Sequence, residues 1–225
     1  MRNRNLVFLS LLVALLALRT AGAQTFTAGK DYVVLPQRQP TSVPAGKVEV
    51  LEVFSYGCPV CNIFEPTMER LKKSLPPNAQ VAYLPASFIP AEAWPMFQRA
   101  YFAAQVLGIA ERTHQAMYDA IWKSGELATT DKETHRLKSP QPSIEAAASA
   151  YARWTGVKPA DFLAAAKSFS VDVRMHAADD QILAMQVRGT PCIVVDGRFR
   201  VDDVAPRPPA QVIALVRYLI GLSAH

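Results

Sequence analysis

Two cysteines separated by two residues, Cys58 and Cys61, are the side chains of this sequence best placed to do chemistry. They follow an alternating, β-rich segment at 48–54 and a short turn, and a helical pattern begins directly after them. The first N–H groups of a helix have no acceptor within the helix, and the helix dipole places partial positive charge there. We therefore expect a Cys58 thiolate to be stabilised and its pKa lowered. Pro59 suits the first helical position because its missing N–H would be unpaired there in any case.

Cys61 lies on the same helix face as Cys58, within reach for a disulfide. A purely stabilising role is disfavoured, because a loop of about four residues contributes only ~2 kcal/mol, against ~4.7 kcal/mol for a 100-residue loop. A zinc site is disfavoured too, since only Cys192 and four scattered histidines, which we expect at the surface, remain as ligands. The pair therefore predicts thiol–disulfide exchange through a mixed disulfide, with Cys58 exposed, Cys61 shielded and no further cofactor or metal.

The amino terminus predicts export. A basic start at Arg2 and Arg4, an apolar run from Leu6 to Leu18 and the small residues Ala21-Gly22-Ala23 together indicate a signal peptide over residues 1–23. The run is shorter than the ~20 residues that a membrane-spanning helix needs. Cleavage removes three arginines and no acidic residue, which lowers the net charge from +5 to +2. No basic cluster with interleaved aromatics remains, so nucleic acid is not an expected partner.

The order of predicted elements is β-α-β, a helical block, a long helix, and β-β-α. The two β-containing parts together predict a thioredoxin-like α/β fold, and the block between them predicts an inserted all-helical domain. We place the first thioredoxin-like part at 24–90, the insertion at 91–170, and the long helix with the second part at 171–225. Ser170 is the expected N-cap of the long helix, and the polar stretch 125–142 is expected to be a surface loop.

Two motifs resemble one known family. Residues 50–61, which read VLEVFSYGCPVC, resemble the active-site segment of the DsbA family of periplasmic disulfide oxidases. The sequence Val187-Arg188-Gly189-Thr190-Pro191, followed by strand, Asp196-Gly197 and strand, resembles the cis-proline loop of that family. Gly29-Lys30-Asp31-Tyr32 is similar as well, so the resemblance covers essentially the whole mature chain.

The resemblance implies a periplasmic dithiol oxidase acting on exported proteins that carry free cysteines. It implies a cis peptide between Thr190 and Pro191 that faces Cys58 and presents Thr190 backbone groups to an extended substrate chain. It also implies that a DsbB-like membrane quinone reductase reoxidises the Cys58–Cys61 pair. Glu52 matches a buried acidic residue of the family, which near Cys61 is suited to proton transfer.

Two departures from the family pattern bear on the chemistry. Val60 stands where well-known members carry histidine, which predicts a weaker oxidant because valine has no group that stabilises the thiolate. The segment 81–85 lacks a lysine that some members pair with the buried acid, so no lysine from this segment is available to Glu52. Cys192, next to Pro191, is expected to be a buried and inert thiol, the alternative being a third redox sulfur.

Three other functions remain as alternatives. A disulfide isomerase or reductase is the nearest one, although isomerases of this type usually carry an amino-terminal dimerisation domain, for which residues 24–47 are too few. A binding protein or holdase chaperone with incidental cysteines is another. The third is a metal-delivery protein.

Overall fold

A computed structural model describes residues 25–223. The predicted signal peptide lies outside the described residues. The described part contains a five-stranded sheet and seven α-helices. The strands are β1 (Val33–Val34), β2 (Val48–Phe54), β3 (Ala79–Pro85), β4 (Cys192–Val195) and β5 (Phe199–Val201). They lie in the order β1-β5-β4-β2-β3, and only β2 and β3 are parallel.

Five of the seven residues of the central strand β2 are apolar because both faces of the sheet are covered, and all seven are buried, including Glu49 and Glu52. Val48 and Val50 face helices α1 (Pro59–Ser74) and α7 (Pro209–Ser223). Leu51 and Val53 face the opposite side, where the remaining helices pack. The strand pleat thus separates Val48 and Val50 from Leu51 and Val53, and by the same alternation Glu52 points away from Leu51 and Val53.

The long connection between β3 and β4 is helical, as the sequence predicts. It contains α2 (Trp94–Val106), α3 (Ala110–Tyr118), α4 (Ile144–Thr155), α5 (Pro159–Ala166) and α6 (Phe169–Ala184). A single π-helical turn, Asp119–Lys123, extends α3. Residues 125–142 contain no helix and hold only one isolated bridge, between Thr130 and Leu137.

Two local expectations were wrong. The long helix α6 begins one half-turn earlier than predicted, because the Ser168 side chain, rather than that of Ser170, accepts a hydrogen bond from the N–H of Val171. His114 is not a surface residue: it is buried, with 6% of its surface exposed. It lies on α3 among aromatic rings that come from other segments of the chain. The local sequence around His114 therefore does not predict its burial.

Candidate active site

Cys58 is the N-cap of helix α1, as the sequence predicts. Its backbone is extended, with φ −85° and ψ 116°, and its sulfur accepts a hydrogen bond from the N–H of Cys61 at 3.4 Å. Pro59 occupies the first turn of the helix. The cysteines are free thiols, so the structure represents the dithiol form of the pair.

The environment of Cys58 favours its thiolate. Its pKa is lowered to about 6, first because the Cys61 thiol donates a hydrogen bond to its sulfur. The Thr190 side chain and the N–H groups of Cys61 and Val60 add to this effect, while burial opposes it. Cys58 is buried, with 5% of its surface exposed, and not exposed as predicted; it is still the more accessible cysteine of the pair, because Cys61 has no exposed surface.

Cys61 has the opposite character. It is fully buried, and burial raises the pKa of its thiol far above the usual range. The hydrogen bond to Cys58 and the negative charges of Cys58 and Glu52 raise it further. The two sulfurs are therefore unequal: one ionises readily next to the solvent, and the other holds its proton inside the protein.

The cis-proline loop completes the front of the site. The Thr190–Pro191 peptide bond is cis, as the family resemblance implies. The carbonyl oxygen of Thr190 lies 3.4 Å from Cys58 Sγ. The contact between Thr190 and Cys58 depends on the pairing of β2 with β4, because Val53 near the end of β2 pairs with Cys192 at the start of β4. Val60, 42% exposed, borders a cavity of about 470 Å³ that the loop also lines.

Glu52 lies inside the protein behind the cysteines. It has no exposed surface, and neither carboxylate oxygen has a hydrogen-bond partner among the described residues. Burial raises its pKa well above the usual range, and the nearby charges of Glu65 and Cys58 raise it further. The raised pKa favours the protonated form of Glu52 and so makes this carboxyl suited to hold a proton close to Cys61.

Sequence reasoning missed two polar residues in this region, Glu65 and His114. Both are buried, and His114 Nε2 lies 3.6 Å from Glu65 Oε2. The other ring nitrogen of His114, Nδ1, shares a hydrogen bond of 2.9 Å with the hydroxyl of Tyr56. Glu65 follows Cys61 by four residues on α1, so helical spacing was a usable signal for it. His114 gave no such signal, because it reaches the site from a distant segment.

Two tryptophans of the helical connection support the turn before Cys58. Trp122 Nε1 donates a hydrogen bond of 2.9 Å to the carbonyl oxygen of Tyr56. Trp94 packs on Gly57 so closely that a Cβ atom there would lie 2.7 Å from Trp94 Nε1. The absence of a side chain at Gly57 thus allows the indole ring to cover the active-site turn.

Cys192 is buried, as predicted, with 1% of its surface exposed. Its sulfur lies 3.7 Å from Asp202 Oδ1, and burial raises its pKa well above the usual value. A thiol in this state is a poor nucleophile.

Neither a metal-binding cluster nor a membrane-spanning helix is found among the described residues. Between residues 25 and 223, no group of three or more histidine, cysteine or carboxylate side chains is arranged to hold a metal ion. Within the same range, no helix combines the length and apolar character required to cross a bilayer.

Comparison with known proteins identifies close similarity over most of the chain. Residues 49–208 match the family described as DSBA-like thioredoxin domain. The chain is 34% identical to the thiol:disulfide interchange protein DsbA of Pseudomonas aeruginosa, over 96% of this chain and 95% of the relative. It is 32% identical to the protein of the same name from Azotobacter vinelandii, over 85% of this chain and 82% of the relative.

Solved structures agree with this. The crystal structure of the oxidoreductase DsbA from Xylella fastidiosa superimposes with a TM-score of 0.76 and 32% identity, covering 89% of this chain and 99% of that one. The crystal structure of Pseudomonas aeruginosa DsbA gives a TM-score of 0.72 and 33% identity, covering 88% of this chain and 95% of that one. These similarities confirm the predicted thioredoxin-like fold with its helical insertion.

Proposed function

The chain belongs to the family of DSBA-like thioredoxin-domain proteins and is a thiol:disulfide oxidoreductase, and on that premise we propose that it is an oxidase that donates a Cys58–Cys61 disulfide to exported proteins. The observation that carries this proposal is the contrast between the two sulfurs. Cys58, at the helix start, has a pKa of about 6, whereas burial raises the pKa of Cys61.

The reaction proceeds in two exchanges. A substrate thiolate attacks Cys58 Sγ, the Cys58–Cys61 bond breaks, and Cys61 leaves with the electron pair and takes up a proton. The second substrate thiol then loses its proton and attacks the substrate sulfur of the mixed disulfide. The substrate disulfide forms, and Cys58 leaves as a thiolate. Two electrons have passed to the protein, and of the two substrate protons one resides on Cys61 and the other enters the solvent.

The low pKa of Cys58 supplies the driving force. A thiolate held at a pKa below ambient pH stabilises the reduced protein, which makes the disulfide more oxidising. At pH 7 the Cys58 thiol is one pH unit above its pKa of about 6, so most of it is present as the thiolate. Each unit corresponds to about 1.4 kcal/mol, or about 30 mV for a two-electron couple.

The cis-proline loop supports substrate binding next to the reactive sulfur. The backbone carbonyl of Thr190 faces Cys58, and the cavity of about 470 Å³ beside the loop continues along residues 203–206. An extended substrate segment that pairs with this loop as an added strand would bring its own cysteine to Cys58. Main-chain pairing of this kind suits an enzyme whose substrates differ in sequence.

Glu52 is proposed to hold the proton that Cys61 needs when it leaves. Its carboxyl lies in the same buried region as Cys61, its pKa is raised well above the usual range by burial, and its charge is one of the causes that raise the pKa of the Cys61 thiol. A neighbouring acid of this kind is suited to general acid catalysis at a leaving group that has no direct access to solvent.

The location and the partners follow from the predicted signal peptide and from the family. We propose that residues 1–23 direct export to the periplasm, where an oxidising environment preserves the disulfide. Unfolded exported proteins with free cysteines are the proposed substrates. A DsbB-like membrane quinone reductase is proposed to reoxidise the Cys58–Cys61 dithiol.

Equilibration of the mature protein with glutathione buffers tests the direction of the reaction. We expect a reduction potential well above the value of about −270 mV that is typical of reducing thioredoxins. A potential at or below that value would identify a reductase instead.

Variants test the assignment of the cysteines. Cys58→Ser should abolish oxidation of a reduced substrate protein, while Cys192→Ser, the matched control, should retain it. Full activity of Cys58→Ser would point to a holdase whose cysteines are incidental.

A further inference from the structure

The cis-proline loop is entered from the end of helix α6. This helix ends at Ala184, strand β4 begins at Cys192, and the residues between them form neither a helix nor a strand. We call the first two of these residues, Met185 and Gln186, the loop entry. Gln186 has a left-handed backbone with φ 56°, which is unfavourable for a residue that carries a Cβ atom. Contacts with other segments must therefore hold this irregular stretch where it meets Cys58.

Arg200 on strand β5 binds the loop entry directly. Its Nη1 donates hydrogen bonds to the carbonyl oxygen of Met185 at 3.0 Å and to that of Gln186 at 2.9 Å. Its Nε donates a hydrogen bond of 3.0 Å to the carboxylate of Asp202. The three bonds use the Nε hydrogen and both hydrogens of Nη1, which a planar guanidinium group presents in fixed directions. The side chain of Arg200 is 12% exposed, so water competes little for these bonds.

These bonds connect the loop entry to the sheet. Arg200 pairs with Val33 of β1 on one side and with Val194 of β4 on the other, so its backbone belongs to the ordered sheet. Carbonyl groups at the end of a helix lack donors within the helix, and the helix dipole favours a cation there. Arg200 supplies both the donors and the positive charge at the end of α6. Asp202 orients the guanidinium group from its other side.

Arg200 also lies beside the reactive face of the loop. Together with Thr190 and Pro191 it lines the cavity of about 470 Å³ that Val60 borders. Three residues, 187–189, separate the loop entry from Thr190. A shift of the loop entry is therefore passed on to the Thr190 carbonyl oxygen, which lies 3.4 Å from Cys58 Sγ.

Resting on the proposed function, we propose that Arg200 is a positioning residue, which holds the start of the cis-proline loop so that Thr190 meets Cys58 and an incoming substrate chain. It acts through the loop rather than on the sulfurs. A polypeptide substrate needs the loop for main-chain pairing, whereas a small dithiol needs only access to Cys58 Sγ. Loss of Arg200 should therefore affect the two kinds of substrate unequally.

The test compares a polypeptide substrate with a small dithiol. The oxidised mature protein is mixed with a reduced peptide that contains two cysteines, or with dithiothreitol, and the second-order rate constant of disulfide transfer is measured. Arg200→Ala should lower the rate constant with the peptide about tenfold or more, the scale expected when charge-assisted hydrogen bonds are lost. The rate constant with dithiothreitol should stay within about twofold of wild type, because this reagent makes no main-chain pairing.

Arg198→Ala is the matched control. Arg198 lies on the same hairpin of β4 and β5, is exposed, and has its guanidinium group 4.9 Å from the centre of the Phe199 ring. The variant removes an equal charge without removing a bond to the loop entry, so both rate constants should match wild type. A loss with the peptide equal to that of Arg200→Ala would assign the effect to long-range charge and overturn the proposal.

Two further measurements separate positioning from a general loss of structure. Free guanidinium, at a concentration too low to denature the protein, should restore part of the peptide rate of Arg200→Ala and leave wild type unchanged, because the cavity opens onto the space vacated by the side chain. Thiolate absorbance should show a higher pKa of Cys58 in the variant, since the hydrogen bond with Thr190 helps to lower it.

Arg200→Lys carries the test if Arg200→Ala does not fold. Lysine keeps the positive charge and a long side chain, but its single nitrogen cannot reproduce the planar set of three bonds. The rate constant of this variant with the peptide should fall severalfold, while its rate constant with dithiothreitol should remain that of wild type.

Three outcomes would overturn the positioning role. These are unchanged peptide rates in the folded Arg200 variants, equal losses with the peptide and with dithiothreitol, or a peptide rate of Arg200→Ala that guanidinium does not restore. Failure of the proposed function would look different, because wild-type protein itself would then not oxidise the peptide. The same variants would in that case be compared in the reverse direction, with the oxidised peptide and the dithiol form of the protein, since the loop positions either peptide.

Discussion

Lowering the pH from about 8 to about 5 should remove about 3 kcal/mol of the stability of the reduced protein through Cys58 alone. The pKa of this thiol is about 6 in the folded chain, against an ordinary value of 9.0. Because the folded value is depressed, the contribution is present at high pH and is lost as the pH falls through 6. At pH 8 the Cys58 thiol is ionised in the folded protein and largely protonated in the unfolded protein. The two units between 6 and 8 each contribute about 1.4 kcal/mol.

The assay is guanidinium unfolding of the mature protein under reducing conditions, compared with Cys58→Ser at each pH. Serine retains a hydrogen-bonding side chain at the N-cap but does not ionise. The comparison also cancels most of the opposite trend from Glu52, whose raised pKa destabilises the fold as the pH rises. The free energy of unfolding of wild type should exceed that of the variant by about 3 kcal/mol more at pH 8 than at pH 5.

Equal differences at the two pH values would refute the reasoning. So would a wild-type advantage that grows as the pH falls. Either result would mean that Cys58 ionises like an ordinary thiol, and the thermodynamic basis for an oxidase would be lost. Ultraviolet absorbance of the thiolate provides an independent titration of the same group in the folded protein.

Three further outcomes are expected. Val60→His should lower the pKa of Cys58 further and raise the reduction potential, measured by thiolate absorbance and glutathione equilibration; an unchanged or higher pKa would contradict the role assigned to this position. Gly57→Ala should destabilise the protein by about 1–3 kcal/mol in guanidinium unfolding, because the new methyl group overlaps Trp94, and a neutral effect would show that the ring moves freely. Alkylation of the folded, reduced protein should label Cys58 rapidly and Cys192 only on unfolding; equal labelling would show that Cys192 is accessible.

The chemistry of the cysteine pair was readable from the sequence because its determinants are adjacent in the chain. A strand, a turn and Pro59 fix where helix α1 begins, and the start of a helix is what stabilises a thiolate. The alternation of apolar residues in β2 likewise placed Glu52 on the face opposite Leu51 and Val53. Capping at α6 was less determined, because Ser168 and Ser170 are equally good N-cap types and the local pattern does not choose between them.

Only the tertiary structure decided which distant residues meet. Thr190 is separated from Cys58 by 132 positions, and their contact depends on the pairing of β2 with β4. His114 comes from the helical connection, and its burial against Glu65 follows from how α3 packs on α1 and β3. Local sequence sets the conformation and ionisation of neighbouring groups, because those depend on backbone geometry within a few residues. The supply of protons and the placement of substrate depend on long-range packing, in which side-chain shape across several elements selects one arrangement.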